Sequence, residues 1–225
     1  MGADTDLDRG LYHLVPTYII GAKDCQIHGR VARNRGCLNL SLAKIKIDKS
    51  QLRVNSLKMM RLKKQSEKSF YEKKLKGVDL SFLGFENIIA GYYPINNELN
   101  VLPLLHYLSS AGHQIALPCI TEKKLLDFRI WDMKKSLVKN QYEVYEPING
   151  RLSIPEFVLV PGVLFDQNLY RLGYGGGYYD RTIKYLRKKN NTKFIGICYP
   201  TQIVSELPRA EHDQSLDFLI NLDEI

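Results

Sequence analysis

Short apolar runs and amphipathic stretches follow one another along most of the chain, and they predict different elements. The apolar runs predict strands at 87–93, 114–118, 125–131, 157–161, 194–199 and near 217–221. The stretches between them predict a basic helix at 50–74 and further helices at 100–111 and 178–189. This alternation is typical of a three-layer α/β/α sandwich with a largely parallel sheet, and we expect it in a single domain.

Four glycines occupy five positions between Gly173 and Gly177, in the turn from a predicted strand to a predicted helix. Glycine contributes no side-chain burial, so such a cluster marks positive φ angles or a close approach of main-chain N–H groups to a ligand. A phosphate is the ligand that such a turn favours, because the helix dipole adds attraction for an anion. A mobile glycine-rich turn is the alternative.

The residues beside the glycines narrow the interpretation. Arg171 and Arg181 bracket them with positive charge, and Asp180 falls in the first turn of the predicted helix. Its carboxylate is either a ligand for Mg²⁺ beside a polyphosphate or an ordinary helix N-terminal charge. Tyr178 stands where the dinucleotide motif G-x-G-x-x-G has its last glycine, and no Gly-Lys-Ser/Thr follows, which excludes a Walker-type loop.

Segments 160–166 (Val-Pro-Gly-Val-Leu-Phe-Asp) and 171–181 together resemble the signature of the 5-formyltetrahydrofolate cyclo-ligase family, also called 5,10-methenyltetrahydrofolate synthetases. Residues 49–53 are similar to the Lys-x-x-Leu-Arg element with which most members begin. Further matches lie at 125–131, at 145–147 and between Gln202 and Asp217. The resemblance implies ATP- and Mg²⁺-dependent cyclisation of 5-formyltetrahydrofolate to 5,10-methenyltetrahydrofolate, with release of ADP and phosphate.

The resemblance also implies roles for individual residues. ATP would bind to Lys49, Ser50, Gln51, Leu52, Arg53, Arg171, Leu172, Gly173, Tyr174, Gly175, Gly176, Gly177, Tyr178 and Tyr179. The folate would bind to Arg53, Tyr93, Glu98, Tyr174, Gly175, Gly176, Gly177 and Tyr178. Lys49, Arg53 and Arg171 would act in catalysis by neutralising the phosphates, and Asp180 and Asp213 would hold Mg²⁺.

Several of these residues also have a structural interpretation that involves no ligand. Lys49 and Arg53 lie one helical turn apart, as on many solvated helix faces, and Glu98 has the pattern of a surface carboxylate in a loop. His212 and Asp213 are also typical of a helix-capping pair. Because ligands bind beyond the carboxyl ends of parallel strands, we expect Glu98 and the glycine loop to face one cleft.

The positive charge is concentrated in one segment. Residues 49–76 hold ten basic and two acidic side chains, which accounts for the net charge of +8 of the whole chain. A nucleic-acid-binding surface would spread basic and aromatic residues over the folded domain, so we expect small-molecule partners and no nucleic acid. The alternatives are a sugar-phosphate or coenzyme A ester enzyme on a similar scaffold, or a non-enzymatic folate- or RNA-binding protein that uses this segment.

The residues up to 48 have no counterpart in the resemblance, so the family domain is expected at 49–225. The apolar stretch at 11–22 follows aspartates and is too short to span a membrane, so neither a secretory signal nor a membrane association is expected. A disordered extension or an upstream start codon is favoured over a functional appendage. The four cysteines lack CxxC spacing, which agrees with a reducing compartment, so we expect a cytoplasmic protein. We also expect it to be a monomer.

One position departs from the family pattern close to the signature. Leu169 stands where members usually carry glycine, so the turn from 167 to 170 is expected to differ in shape.

Overall fold

The computed structural model of the protein describes residues 19–21 and 48–222. Within these residues there are four α-helices: α1 (Lys49–Arg61), α2 (Gln65–Lys74), α3 (Leu102–Ser110) and α4 (Tyr178–Arg187). Single 3₁₀ turns lie at Leu75–Gly77, Ser81–Leu83 and Pro200–Gln202. The strands are β1 (Ile19–Gly21), β2 (Ile88–Ala90), β3 (Gln114–Ile120), β4 (Leu126–Ile130), β5 (Leu137–Lys139), β6 (Tyr145–Pro147), β7 (Leu152–Ser153), β8 (Phe157–Val160), β9 (Leu164–Asp166), β10 (Arg171–Leu172), β11 (Lys193–Cys198), β12 (Ile203–Val204) and β13 (Phe218–Asn221).

Eight strands form the main sheet in the order β1-β13-β11-β8-β2-β3-β4-β7. The four central pairings, from β13 across to β3, are parallel, and the pairings at both edges are antiparallel. The predicted sandwich with a largely parallel sheet is therefore confirmed. Smaller sheets, β10-β9-β12 and β5-β6, lie outside it.

Two apolar clusters cover the two faces of the main sheet. On one face α3 buries Leu104, Leu105 and Leu108 against β2, β3 and β11. On the other face α4 contributes Ile183 and Leu186. Nearly continuous apolar runs are typical of parallel strands covered on both faces, which explains why the parallel strands of the main sheet could be located from the pattern. Short strands such as β9 and β12 could not.

A third cluster attaches α1 to the small sheet rather than to the main one. Met60 packs with Leu164 of β9 and Leu172 of β10, and Leu52 and Leu57 cover the same group. The helix begins where the Asp48 side chain accepts a hydrogen bond of 3.1 Å from the Ser50 N–H, which satisfies one of its free N–H groups. The start of α1 is thereby held beside the glycine loop that follows β10.

The predicted single helix at 50–74 is wrong in one respect, because it is two helices. The backbone of Lys64 is extended (ψ 150°) and separates them. Helix α1 packs through Met60 on the small sheet, whereas α2 packs Tyr71 against Tyr199, with ring centres 5.6 Å apart. The chain has to turn between these two surfaces, and the sequence at 61–68, which is polar except for Leu62, contains no local sign of the break.

The turn at 167–170 keeps the conformation that a glycine would favour, although it carries a leucine. Leu169 has φ 64°, in the left-handed region, and its side chain is almost fully buried. The conformation costs about 1–2 kcal/mol for a residue with a Cβ atom, and burial of the leucine side chain offsets a comparable amount. The leucine therefore adopts the left-handed conformation at little net cost.

Most of the predicted extension, residues 1–18 and 22–47, lies outside the described residues. The three extension residues that are described form β1, which pairs antiparallel with β13 at the edge of the main sheet. None of the helices in the described part of the chain combines the length and apolar character needed to cross a membrane.

Candidate active site

A cavity of about 440 Å³ opens beyond the carboxyl ends of β2, β3 and β8, within the usual size range of small-molecule sites. Its wall comes from the start of α1, the loop after β2, the strands β3 and β4, the β5–β6 hairpin, the glycine loop and the segment before β13. The lining residues are Lys49, Arg53, Tyr92, Tyr93, Ile95, Asn96, Glu98, Pro118, Ile120, Leu126, Tyr142, Val144, Pro161, Arg171, Leu172, Gly173, Tyr174, Gly175, Gly176, Gly177, Tyr178, Tyr179, Asp180, Ala210, His212 and Asp213.

The glycine loop needs its glycines for conformational reasons at two positions. Gly175 has φ 103° and Gly177, which caps α4, has φ 65°. At Gly176 the obstacle is space, because an added Cβ atom would lie 2.8 Å from the ring of Tyr178. The loop leads directly into α4, because Gly177 is the residue that caps this helix. The first N–H groups of the helix have no hydrogen-bond partners inside it.

Two arginines hold the loop by its carbonyl groups. Arg53 Nε donates a hydrogen bond of 2.7 Å to the Gly173 carbonyl, and Arg181 Nη2 donates one of 2.8 Å to the Gly176 carbonyl. Arg181 Nε also donates to the Lys124 carbonyl at 2.8 Å, which ties the loop to the β3–β4 turn. A loop whose carbonyls face arginines is fixed in position before any ligand binds.

Cations and carboxylates alternate along one rim of the cavity. Lys49 forms an ion pair with Asp213, and Arg171 pairs with Asp180 at 3.1 Å. Burial acts to raise the pKa of Asp213, but the hydrogen bonds from Lys49 and from the Ala210 N–H outweigh burial and lower the pKa below its usual range. Asp213 is therefore ionised at neutral pH, and the rim offers both charges to an ionic ligand.

Glu98 lines the same cavity, beside Tyr174 of the glycine loop, and is 7% exposed. Burial raises its pKa to about 8, although the N–H of Ile95 and the hydroxyl of Tyr174 both donate hydrogen bonds to its carboxyl group. The pKa values of Tyr92 and Tyr179 are also raised, first by burial and then by the nearby Glu98. At neutral pH this part of the cavity holds a protonated carboxyl group that can both donate and accept hydrogen bonds.

Aromatic and aliphatic side chains form the walls around Glu98. The rings of Tyr93 and Tyr145 lie 4.5 Å apart, and those of Tyr142 and Tyr178 lie 6.2 Å apart. Ile120 is a further lining residue. Flat apolar walls with polar groups at a few points suit a planar heterocyclic ligand.

The structure brings together most of the residues that the sequence singled out. Lys49, Arg53, Tyr93, Glu98, Arg171, Leu172, Gly173, Tyr174, Gly175, Gly176, Gly177, Tyr178, Tyr179, Asp180 and Asp213 all line the one cavity. Glu98 and the glycine loop thus face the same cleft. The assignment of ATP, folate and Mg²⁺ to these residues stays a prediction.

Three residues predicted to bind ATP do not line the cavity. Ser50 lies at the first turn of α1 beside Asp48, Gln51 donates to the Asn55 side chain at 3.0 Å, and Leu52 packs into the apolar cluster beneath α1. A spacing of four brings Lys49 and Arg53 to one helix face, so the residues between them point elsewhere.

Sequence reasoning missed the part of the wall that the β5–β6 hairpin supplies. This hairpin brings Tyr142 and Val144 to the cavity. The Asn140 side chain accepts hydrogen bonds from the N–H groups of both, and Glu146 fixes the hairpin by accepting a bond of 2.9 Å from Ile120 N–H. Polar residues at 140–143 between two short apolar runs are a turn signal, but nothing local shows that the turn faces the cavity.

A cavity at the carboxyl ends of parallel strands, beside a glycine loop that begins a helix, places the chain among α/β proteins that bind small anionic ligands. The model of the 5-formyltetrahydrofolate cyclo-ligase family matches residues 45–221. The chain belongs to this family, which is a family of ATP-dependent enzymes. The two alternatives, an enzyme for sugar phosphates or coenzyme A esters and a folate- or RNA-binding protein, gain no support.

Curated and solved relatives agree with the family match. The probable 5-formyltetrahydrofolate cyclo-ligase of Schizosaccharomyces pombe is 31% identical over 144 residues, covering 57% of this chain and 71% of the relative. The Escherichia coli K12 enzyme is 31% identical over 140 residues, covering 59% and 76%. The solved 5,10-methenyltetrahydrofolate synthetase of Mycoplasma pneumoniae has a TM-score of 0.62 at 25% identity, covering 77% of this chain and 98% of that one. The Aquifex aeolicus enzyme has a TM-score of 0.66 at 27% identity, covering 77% and 89%.

The raised pKa of Glu98 predicts how stability depends on pH. An unfolded glutamate is ionised above pH 4.5, whereas folded Glu98 keeps its proton up to about pH 8. Unfolding therefore releases a proton between these values, and the free energy of unfolding should fall as pH rises, by up to about 1.4 kcal/mol per pH unit. Glu98→Gln removes the titration and should flatten this slope.

The measurement is urea unfolding of both proteins at several pH values from 5 to 8. Glu206→Gln, at a carboxylate that is 76% exposed, serves as the matched control and should keep the wild-type slope. Parallel slopes for wild type and Glu98→Gln would show that Glu98 is ionised in the folded protein.

Proposed function

We propose that the chain catalyses the ATP-dependent cyclisation of 5-formyltetrahydrofolate to 5,10-methenyltetrahydrofolate, releasing ADP and phosphate. The observation that carries the proposal is one cavity with two different halves. A charged rim with the glycine loop lies on one side, and the uncharged pocket around Glu98 lies on the other. The reaction needs both, because a polyphosphate and a heterocycle have to meet.

In the proposed reaction the formyl oxygen attacks the γ-phosphorus of ATP, and the bond from that phosphorus to the β–γ bridging oxygen breaks to release ADP. N10 of the folate then attacks the phosphorylated formyl carbon and gives up its proton to solvent. The bond from that carbon to the phosphate oxygen breaks, which leaves the closed ring and releases phosphate. An amide oxygen is a poor leaving group until it is phosphorylated. Such transfer is catalysed by positioning and charge stabilisation, and it needs no covalent protein nucleophile.

The phosphates of ATP are assigned to the glycine loop and its cations. The N–H groups at the start of α4 attract an anion, and Lys49, Arg53 and Arg171 line the same side of the cavity. Lys49 and Arg171 are paired with Asp213 and Asp180, so phosphate oxygens that take over these cations leave two carboxylates for a cation that arrives with the nucleotide. We therefore assign the stabilisation of the transferred phosphoryl group to the three cations.

The folate is assigned to the pocket around Glu98. The protonated carboxyl group can donate one hydrogen bond and accept others, which matches the mixed donors and acceptors of a pterin ring. Tyr174 extends from the glycine loop to Glu98 and so contacts both halves of the cavity. A ligand ring held there would lie next to the phosphate-binding loop.

The carboxylates of Asp180 and Asp213 fit a magnesium ion that arrives with the nucleotide. Among the described residues no group of three or more potential ligands forms a metal site by itself. Mg²⁺ is commonly held by one or two carboxylates, substrate phosphates and water, so two carboxylates on the rim suffice. Bound there, the ion would neutralise charge on the β- and γ-phosphates.

Cys119 and Cys198 are free and buried, which suits a reducing compartment, and we infer a cytoplasmic location. We also infer a monomer whose partners are the two small-molecule substrates, because the described fold encloses all the proposed site residues within one chain.

Purified protein mixed with ATP, Mg²⁺ and 5-formyltetrahydrofolate should produce ADP and the methenyl chromophore in equal amounts. Omitting either substrate should abolish both signals, because phosphorylation of the formyl oxygen starts the reaction. ADP formation independent of the folate, or no turnover at all, would contradict the proposal.

Gly175→Ala tests whether the loop backbone contacts the nucleotide. Gly112→Ala is the matched control, because Gly112 has a similar φ of 99° and lies in a turn outside the cavity. Both variants should lose about 1–2 kcal/mol of stability through the strained φ. Only Gly175→Ala should also raise the KM for ATP, by tenfold or more; equal kinetics for the two would remove the loop from the nucleotide site.

Asp180→Asn should raise the Mg²⁺ concentration needed for half-maximal turnover at least fivefold, because one metal-binding carboxylate is lost. Magnesium-dependent ADP binding, measured by calorimetry, should weaken in parallel. Asp217→Asn also breaks an arginine pair, at 3.0 Å to Arg187 and away from the cavity, and should leave both values unchanged. An unaltered magnesium requirement in Asp180→Asn would exclude this carboxylate from the metal shell.

A further inference from the structure

Asp166, at the end of β9, is a fully buried carboxylate that does not line the cavity. Its Oδ1 atom accepts hydrogen bonds from the N–H groups of Asn168 (3.0 Å) and Tyr170 (2.9 Å). These bonds shape the turn into β10, the strand that begins with Arg171 and leads into the glycine loop.

The other oxygen of Asp166 reaches a distant part of the chain. Oδ2 accepts a hydrogen bond of 3.0 Å from the N–H of Leu207, and the Arg209 guanidinium lies 3.6 Å from it. The same guanidinium stacks on Tyr170, 4.3 Å from the ring centre. One carboxylate thus fastens the segment 207–213 to the β9–β10 hairpin.

The segment that Asp166 holds contains no regular secondary structure, since residues 205–217, all in the described part of the chain, form neither helix nor strand. At this end Leu207 is also buried with Met60 and Leu164. Further along, Leu216 N–H donates to the Leu169 carbonyl at 2.8 Å and Gln214 N–H to Asp180 at 3.1 Å. At the far end Asp217 N–H donates to the Phe194 carbonyl at 2.8 Å. The bonds to Asp166 fix the beginning of the segment.

The two structures joined by Asp166 carry opposite charges of the proposed nucleotide site. On one side the hairpin places Arg171, which pairs with Asp180. On the other side the segment ends at Asp213, which pairs with Lys49 and accepts a hydrogen bond of 2.6 Å from Ala210 N–H. Asp166 therefore contributes to the placement of Asp213 relative to Arg171, together with the bond from Gln214 N–H to Asp180.

We propose that Asp166 is a positioning residue for the nucleotide half of the reaction, acting through the placement of Asp213 relative to Arg171. This inference rests on the proposed function. It assigns Asp166 no contact with either substrate. The folate half should be less sensitive to it, because Ile95, whose N–H donates a hydrogen bond to Glu98, belongs to the loop after β2.

Asp217 offers a matched comparison for a purely structural role. Its carboxylate also accepts a backbone N–H, from Phe194 at 2.9 Å, and also pairs with an arginine, Arg187 at 3.0 Å, but it does not lie beside the cavity. Both oxygens of Asp166 accept hydrogen bonds, so Asp166→Asn turns an NH₂ group towards a donor in either orientation. Both bonds to Asp217 end on Oδ2, so Asp217→Asn can keep its oxygen there and mainly loses the charge that pairs with Arg187. Both variants should lower the melting temperature.

The test compares Asp166→Asn with Asp217→Asn in steady-state kinetics and in calorimetric ATP binding with Mg²⁺. Asp166→Asn should raise the KM and Kd for ATP about tenfold and change the KM for 5-formyltetrahydrofolate less than twofold. Asp217→Asn should change none of these constants. Equal changes in both KM values of Asp166→Asn, or unchanged ATP constants, would overturn the inference.

Arg209→Gln provides a milder variant in case Asp166→Asn does not fold. It leaves the carboxylate and its backbone hydrogen bonds intact and removes the ion pair and the stacking on Tyr170. We expect a rise of about threefold in the KM for ATP alone. A variant that folds with an unchanged KM for ATP would count against the inference.

A double-mutant cycle identifies the route of the effect, because coupled residues do not contribute additively. If Asp166 acts through Asp213, then Asp166→Asn combined with Asp213→Asn should bind ATP as weakly as Asp213→Asn alone. If the two substitutions instead multiply their effects on the Kd for ATP in the double variant, the inference is overturned. Absence of turnover by the wild type would instead overturn the proposed function, so the two failures are distinguishable.

Discussion

The hydrogen bonds from Arg53 and Arg181 to the carbonyls of Gly173 and Gly176 are the interactions on which the rest of the site depends. Glycine-rich backbone is expensive to order, since glycine loses more conformational freedom on folding than any other residue. Two charged donors offset that cost and fix the loop before a ligand arrives. Because the loop is already ordered, its N–H groups can stabilise the transition state without a further free-energy cost of ordering the loop.

The cavity divides into a charged and an uncharged half, and the division follows from burial. On the rim, each carboxylate has a cationic partner, and Asp213 has its pKa lowered. Around Glu98 no such cation is close enough to outweigh burial, so its pKa rises to about 8. Two carboxyl groups of similar intrinsic acidity thereby take opposite protonation states, one suited to a metal and the other to a neutral heterocycle.

The parallel strands and the glycine turn could be predicted from the sequence, whereas the break between α1 and α2 and the position of the β5–β6 hairpin could not. Buried parallel strands such as Phe157–Val160 are visible in the sequence as apolar runs, and the glycine cluster predicts the turn before α4. The break between α1 and α2 depends on which surfaces the two helices pack against, which is not a local property. The same holds for Tyr142, since only tertiary packing shows that its hairpin faces the cavity.

The ion pairs on the rim also bear on how tightly a nucleotide can bind. Phosphates that take Lys49 and Arg171 from their carboxylates gain less than the full attraction, because existing pairs have to be broken first. A magnesium ion changes this balance, since it takes over the released carboxylates and leaves no charge unpaired. The ion and the nucleotide should therefore bind cooperatively, with each weak alone. Under the proposed function, the paired rim would disfavour free phosphate and favour the metal–nucleotide complex.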